Sequence, residues 1–426
     1  MPSNTSISIH GSGPQNISSG DGPQYNNNAS GIQVNSGNFI GFNPFREFTE
    51  FERLPMENRG DMPGDDQSLC REDFHVAIIC TLPLEYDAIS LVFDQFWDED
   101  GDSYGRAHGD TNRYTTGQIW KHNVVLALLP NIGTASAAGA AANFRSSYSA
   151  VKLTLLVGIC GGVPGTGPDE ILLGDVVISK TVIQHTLGRQ YPNKFMTKDT
   201  VYDSLGRPNK DIRSLIASFE TERGRRQLRQ KAGQYLRDLQ CAAIKERHRC
   251  SYRYPGVDED KLFAASYHHK HRASQKCKCN QESDGLCEEA AQALCSTLMC
   301  DEGQLVRRER LLMKKDLELD DAQCPEIFVG CVASGDTVMK SGEHRDRIAR
   351  QRDIIAFEME GAGIWDELPC SIIKGVCDYA DSHKNKVWQP FAAATAASVM
   401  KAMLGRYALT EPSPSYSRVI PGSHVR

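Results

Sequence analysis

The chain has 426 residues, 40% of them hydrophobic and 24% charged, with a formal net charge of −6. That length holds two to three ordinary domains or one large domain with tails, and the apolar share supports a sizeable core. The negative balance argues against a nucleic-acid partner, and the longest apolar stretch, 153–163, is broken by Gly158, Gly161 and Gly162, short of the roughly 20 residues a membrane span needs.

The opening MPSNTSISIHGSG has no charged or apolar leader region, so a cytoplasmic location is expected. In that setting the 14 cysteines are expected to be reduced thiols or metal ligands. Residues 1–41 contain no lysine, arginine or glutamate. They repeat with a period of nine: Gly13-Pro14-Gln15-Asn16, Gly22-Pro23-Gln24-Tyr25-Asn26 and Gly31-Ile32-Gln33-Val34-Asn35. Such a segment cannot bury a core, but its amides suit stacked ladders when copies meet. It resembles the sigma-type amyloid signalling motif of fungal immune-type proteins. The resemblance implies a fungal receptor carrying a matching motif as partner. Residues 42–72 are acidic, with Pro44, Pro55 and Pro63, and are expected to be a linker.

From 73 to 405 one globular domain is expected, of α/β class. His75–Cys80 is a short apolar run suited to a buried strand, and Leu84–Phe93 has helical spacing. Asn123–Leu129 is a second strand, Gly133–Tyr148 a small-residue helix, and Leu153–Val157 a third strand ending in Gly158-Ile159-Cys160-Gly161-Gly162. Gly174-Asp175-Val176-Val177 is a turn and a fourth strand. About 201–325 is expected to be a largely helical insertion, since charge rises there and seven cysteines fall between Cys241 and Cys300. Strand patterns resume at Gly330–Ala333 and Ser371–Val376, and Phe391–Leu404 is an Ala-rich helix. Residues 406–426 are expected to be a disordered tail.

Four chemistry-bearing clusters fall where strands end, which is where open α/β sheets place ligands. They are Glu85, the glycines 158–162, Ser334-Gly335-Asp336 with Glu358-Met359-Glu360-Gly361, and Cys377-Asp378-Tyr379-Ala380-Asp381. Each alone has a plain structural explanation: a strand-end carboxylate as a helix cap, a glycine cluster as a tight turn, Met359 as core filling. In this order, with Leu173-Gly174-Asp175-Val176-Val177 between them, they resemble the nucleoside phosphorylase/nucleosidase superfamily. The details of Tyr254-Pro255-Gly256, Val338-Met339-Lys340 and Asp381-Ser382-His383-Lys384-Asn385-Lys386 are similar to its fungal, immune-receptor-associated branch.

The resemblance implies a three-layer phosphorylase-type fold, with a central mixed sheet flanked by helices, and cleavage of an N-glycosidic bond. Asp378 matches the donor of a proton to purine N7, with partial burial expected to raise its pKa. Glu360 matches the carboxylate that holds both ribose hydroxyls, and Glu85 the one that activates water. Gly161, Gly162, Ser334, Asp336, Phe357, Glu358 and Met359 are expected around the substrate. The loop Thr81–Glu85 and the turn Gly133–Ser136 offer no arginine or lysine for phosphate, which favours hydrolysis over phosphorolysis. The nucleosidases resembled usually have a small or hydroxyl residue where Ile159 stands.

The stretch Lys340, His344, Arg345, Arg347 and the stretch His383, Lys384, Lys386 are expected to meet at one pocket mouth, suiting an anionic tail. The substrate expected is therefore a purine nucleoside or an adenine nucleotide such as ATP or AMP. No cofactor is expected. The insertion offers His268, His269, His271, Cys277, Cys279, Cys287, Cys295 and Cys300. Their spacing lacks a paired Cys-x2-Cys, so buried thiols in a solvated loop are expected rather than a metal, with zinc left open. A homo-oligomer is expected. A phosphate-dependent phosphorylase, or an inactive nucleoside-binding module assembled through the repeats, are the alternatives.

Overall fold

The computed structural model describes residues 69–409, apart from 100, 102–103, 193, 199, 201, 273–276, 278 and 280–286. The nine-residue repeats of 1–41, most of the linker, and the tail beyond 409 lie outside the described residues.

The N-terminal half contains β1 (Val76–Cys80), α1 (Pro83–Ser90), β2 (Gln95–Phe96), β3 (Tyr114–Ile119), β4 (His122–Leu128), α2 (Thr134–Ser147), β5 (Leu153–Gly162) and β6 (Val176–Gln184). A hairpin of β7 (Gly188–Tyr191) and β8 (Lys194–Thr197) follows, then α3 (Lys210–Glu220), α4 (Glu222–Lys245), α5 (Glu288–Gln292), α6 (Glu309–Lys315) and α7 (Leu319–Ala322). The chain returns to the sheet with β9 (Ile327–Ser334), α8 (Gly342–Arg352), β10 (Ile354–Glu358), α9 (Gly361–Trp365), β11 (Cys370–Asp378) and α10 (Gln389–Leu404).

Nine strands form one mixed sheet in the order β10-β9-β6-β11-β5-β1-β4-β3-β2. β1, β4, β5 and β11 run parallel, so their carboxyl ends open on one edge. Their residues are almost wholly buried, as expected of strands covered on both faces. Side chains alternate across β11. On one face Ile372 meets the start of α9, and on the other Gly375 lies against the backbone of α10 at Ala392, where a Cβ would stand 1.9 Å from the carbonyl oxygen. Helix α10 can approach so closely because Ala392, Ala393, Ala394, Ala396 and Ala397 carry little side chain, and all are buried.

The third strand is longer than its apolar run. β5 continues through the glycines to Gly162, where it leaves β1 and pairs antiparallel with Ala356 and Phe357 of β10. The run Gly158–Gly162 is therefore strand and not turn. The insertion also divides in two. Its amphipathic part forms α3 and α4, capped by Asn209 and Thr221. The described residues around its later cysteines are mostly irregular, with only the short α5 among them. A buried ion pair fastens the return to the sheet. Arg310 binds Asp175 bidentately at 2.6 and 2.7 Å, and Asp175 is fully buried. Burial pushes the Asp175 carboxyl up, but Arg310 and Lys314 hold it below the usual carboxylate range.

Candidate active site

A cleft opens at the carboxyl ends of β1, β5 and β11. Eight of the fourteen residues expected at the site line it: Glu85, Gly161, Phe357, Glu358, Met359, Glu360, Asp378 and Lys384.

Glu85 stands in the first turn of α1, behind Pro83. It is 2% exposed, and backbone donors hold both its oxygens. Oε2 accepts from the N–H groups of Thr81 and Leu82 at 2.9 Å, and Oε1 from Ile159 at 2.8 Å. Glu85 thus ties the helix start to β5. The tie needs glycine at 158, because a Cβ there would lie 2.1 Å from Oε1.

Glu358 ends β10, and its carboxylate accepts from the backbone N–H groups of Glu360 and Gly361 at 2.9–3.0 Å. It fixes the turn that presents Glu360. Burial raises the Glu358 pKa, against the pull of Lys374. Glu360 itself, 4% exposed, faces Lys374 at 3.3 Å. Lys374 is 2% exposed, in the middle of β11. Burial opposes its charge, but Glu360, Glu85 and Glu358 together raise its pKa above the ordinary lysine value. Sequence reasoning missed Lys374. The signal was present: a single lysine inside the apolar strand Ser371-Ile372-Ile373-Lys374-Gly375-Val376.

Asp378 closes β11 at an irregularity in its pairing with β5. Oδ1 accepts from the Ala380 N–H at 2.8 Å and faces the Lys384 ammonium at 3.0 Å. Partial burial was the environment expected for Asp378; the structure adds this cation. Lys384 is held charged, since burial is outweighed by Asp378. Gly161 leaves the room for this arrangement, with a Cβ there 2.9 Å from Oδ1.

The other expected residues do not reach this cleft. Gly162 lies behind it against Val376. Ser334 is fully buried, and its Oγ accepts from the Ala362 N–H at 2.8 Å. Asp336 caps the start of α2, accepting from Thr134 N and Oγ1 at 2.7 Å. Arg345, expected at the pocket mouth, is 2% exposed and donates to the Tyr379 carbonyl and to Asp346, so its charge is spent inside. His383 turns away from the cleft, with its ring stacked on Phe263 at 4.1 Å and Nδ1 facing Cys295 and Cys300. Neighbouring residues in sequence therefore part company, because α8 and the loop after β11 each bury one side.

Lys340 lines a second, larger groove with His185, Lys194, His344, Arg347 and Arg352. The two spaces share Thr337, Val338 and Met339. Their charges oppose. Among the described residues, the cleft is lined by four carboxylates against two ammonium groups, whereas four lysines and arginines and no carboxylate line the groove.

Residues 75–240 match the family model described as the phosphorylase superfamily, which bears out the resemblance drawn from the motifs. A nucleotide-binding leucine-rich repeat (NLR)-like protein from Hyaloscypha variabilis is 31% identical over 355 residues, 82% of this chain. The chain spans about a third of that relative's length, 31%. Among solved structures, the 5′-methylthioadenosine/S-adenosylhomocysteine nucleosidase of Neisseria meningitidis is 15% identical with a TM-score of 0.42, covering 78% of this chain and 99% of its own. Futalosine hydrolase of Helicobacter pylori is 14% identical with a TM-score of 0.43, covering 78% and 98%. No helix among the described residues is long and apolar enough to cross a membrane.

Proposed function

On this phosphorylase-superfamily chain we propose an N-glycosidase that hydrolyses a purine nucleotide, with the base and sugar in the cleft and the phosphates in the groove. The observation that carries the proposal is the reversal of charge across Thr337–Met339. Positive charge develops on the sugar ring as an N-glycosidic bond breaks, and a cleft with an excess of carboxylates stabilises it. The same excess repels inorganic phosphate as nucleophile and favours neutral water. The cationic groove matches an anionic 5′ substituent.

In this reading Glu360 accepts hydrogen bonds from the ribose hydroxyls, with the Lys374 ammonium behind it at 3.3 Å. Asp378 passes a proton to the departing base, and the Lys384 ammonium, 3.0 Å away, stabilises the carboxylate that this leaves. Glu85 keeps a lone pair on Oε1 beyond its three backbone donors and orients the water. Glu358 acts through the backbone it holds.

The test is incubation of the purified chain with AMP, ATP and adenosine, with and without phosphate, followed by chromatography. The expected products are free base and a ribose phosphate in phosphate-free buffer. Strict phosphate dependence, with ribose 1-phosphate or its 5′-phosphorylated form as product, overturns hydrolysis. One observation favours a second reading, a nucleotide-binding module: the three backbone donors on Glu85 also suffice for a purely structural role. Tight nucleotide binding with no base release from any of the three supports that reading instead. The NLR-like relative suggests that either activity serves receptor-type signalling. The nine-residue repeats would then gather copies of the chain, a role tested by whether a peptide of residues 1–41 forms seeded fibrils.

A further inference from the structure

Two quartets of sulfur and nitrogen ligands stand at the irregular part of the insertion, the first completed by His383 from the loop after β11. The first is His269, Cys295, Cys300 and His383; the second is His271, Cys277, Cys279 and Cys287. Within each quartet all ligand atoms lie within 4.8 Å of one another. In the first, Nδ1 of His383 is 3.6 Å from the sulfur of Cys295 and 3.9 Å from that of Cys300. In the second, the sulfur of Cys277 is 3.2 Å from that of Cys279 and 3.7 Å from that of Cys287. Nδ1 of His271 is 3.7 Å from Cys279 and 3.6 Å from Cys287. A tetrahedral ion with sulfur at about 2.3 Å and nitrogen at about 2.0 Å sets its ligands about 3.5–3.8 Å apart. The observed edges cluster around that value.

Three further observations point to an ion. The ring of His383 is oriented from behind, since Nε2 lies 2.8 Å from the Tyr267 carbonyl. That bond places the proton on Nε2 and leaves the Nδ1 lone pair toward the sulfurs, as the outer partner of a metal-bound histidine does. His269 is 8% exposed, and beyond a weak approach to the Ala290 backbone neither ring nitrogen has a hydrogen-bond partner. A buried imidazole without partners is costly unless something else engages it. Backbone N–H groups of His271 and Ala290 point at the sulfurs of Cys279 and Cys287 at 3.4 Å, the donors that a thiolate needs.

We propose that this chain binds two structural zinc ions, one in each quartet. Cys2His2 and Cys3His sets are soft, four-membered and closed, which suits zinc and leaves no position for substrate. His269 and His271, two residues apart in irregular chain, serve different ions. The first ion has a consequence for the cleft. Its ligand His383 adjoins Lys384, the partner of Asp378, so it pins the insertion to the loop that carries the proton donor's cation.

The experiment is metal analysis of the full chain purified under reductant, with two zinc ions per chain expected. Cys300→Ser should remove one ion, Cys287→Ser the other, and the double variant both. Because such variants can fail to fold, the wild-type chain is also loaded with cobalt(II). Visible ligand-field bands of tetrahedral intensity and thiolate-to-cobalt charge transfer are expected. Less than one metal per chain, a spectrum without thiolate charge transfer, or an intact mass showing the cysteines paired as disulfides overturns the proposal. The coupling to the cleft rests on the N-glycosidase reading and has its own readout. His383→Ala should lose one zinc and lower base release about tenfold, while His383→Cys keeps the ion and most of the rate. Unchanged base release after loss of that ion overturns the coupling alone. Absence of base release in the wild type overturns the N-glycosidase reading and leaves the metal count standing.

Discussion

The cleft and the groove beside it share a wall and differ in how they hold charge. In the cleft, Glu85 and Glu358 are buried and fixed by backbone N–H groups, and Glu360 faces a buried lysine. In the groove, Lys340, Arg347 and their neighbours carry charge of one sign, with no carboxylate among the described lining residues. A charge that must act on a bond has to be placed to within tenths of an ångström, so it is built into the sheet. A charge that only attracts an anion works from a solvated surface, and its cost is small. The two regions therefore answer differently to substitution.

The largest effect is expected from Lys374→Met, which leaves Glu358 and Glu360 buried without their counter-ion. Breaking a buried ion pair in this way costs about 3–5 kcal/mol. Chemical denaturation measures it, and a loss under about 1 kcal/mol would show that the carboxylates do not depend on the lysine. Next is Asp378→Asn, which keeps the shape and the Ala380 hydrogen bond but cannot donate an acid proton. Base release should fall by about two orders of magnitude or more while nucleotide binding survives. A wild-type rate rejects Asp378 as the acid.

The groove should respond more gently. Lys340→Ala with Arg347→Ala should raise KM for a nucleotide about tenfold, leave kcat in place and leave a nucleoside untouched. An equal change for nucleoside and nucleotide would move the phosphates elsewhere.

The smallest effect expected is a pH dependence. His185 and His344 both line the groove, and burial holds both below the usual imidazole pKa, aided by His344 on His185 and by Arg347 on His344. They are neutral at pH 7 and gain charge as pH falls below about 6.5. KM for a nucleotide should drop as pH falls below the ordinary imidazole range, and His185→Gln with His344→Gln should flatten the profile. Stability moves the other way. The unfolded chain binds these protons first, so the contribution present above about pH 6.5 is lost as pH falls through the lowered folded values. A KM that rises on acidification would contradict the assignment.

The sequence by itself determined the α/β class, the strands β1, β4 and β11, and the positions of Glu85, Glu360 and Asp378 at strand ends. Those features are local: an apolar run, a proline after it, a carboxylate where the run stops. Tertiary structure decided the rest. Gly158–Gly162 reads as a turn by composition and is strand, paired with β10 and β11, and its glycines are needed because Glu85, Asp378 and Val376 occupy the space that side chains at 158, 161 and 162 would fill. Arg345 and His383 read as pocket cations from their neighbours, yet packing turned both inward. Lys374 was legible as an odd lysine in an apolar strand but not as a counter-ion, because its partners lie on α1, at the end of β10 and in the turn after it. The cysteines and histidines of the insertion have no regular spacing, since each quartet is assembled from segments that only the folded chain brings together, one of them the loop after β11. Periodicity reports the surface a residue must face, while contact between distant segments leaves no mark in local order.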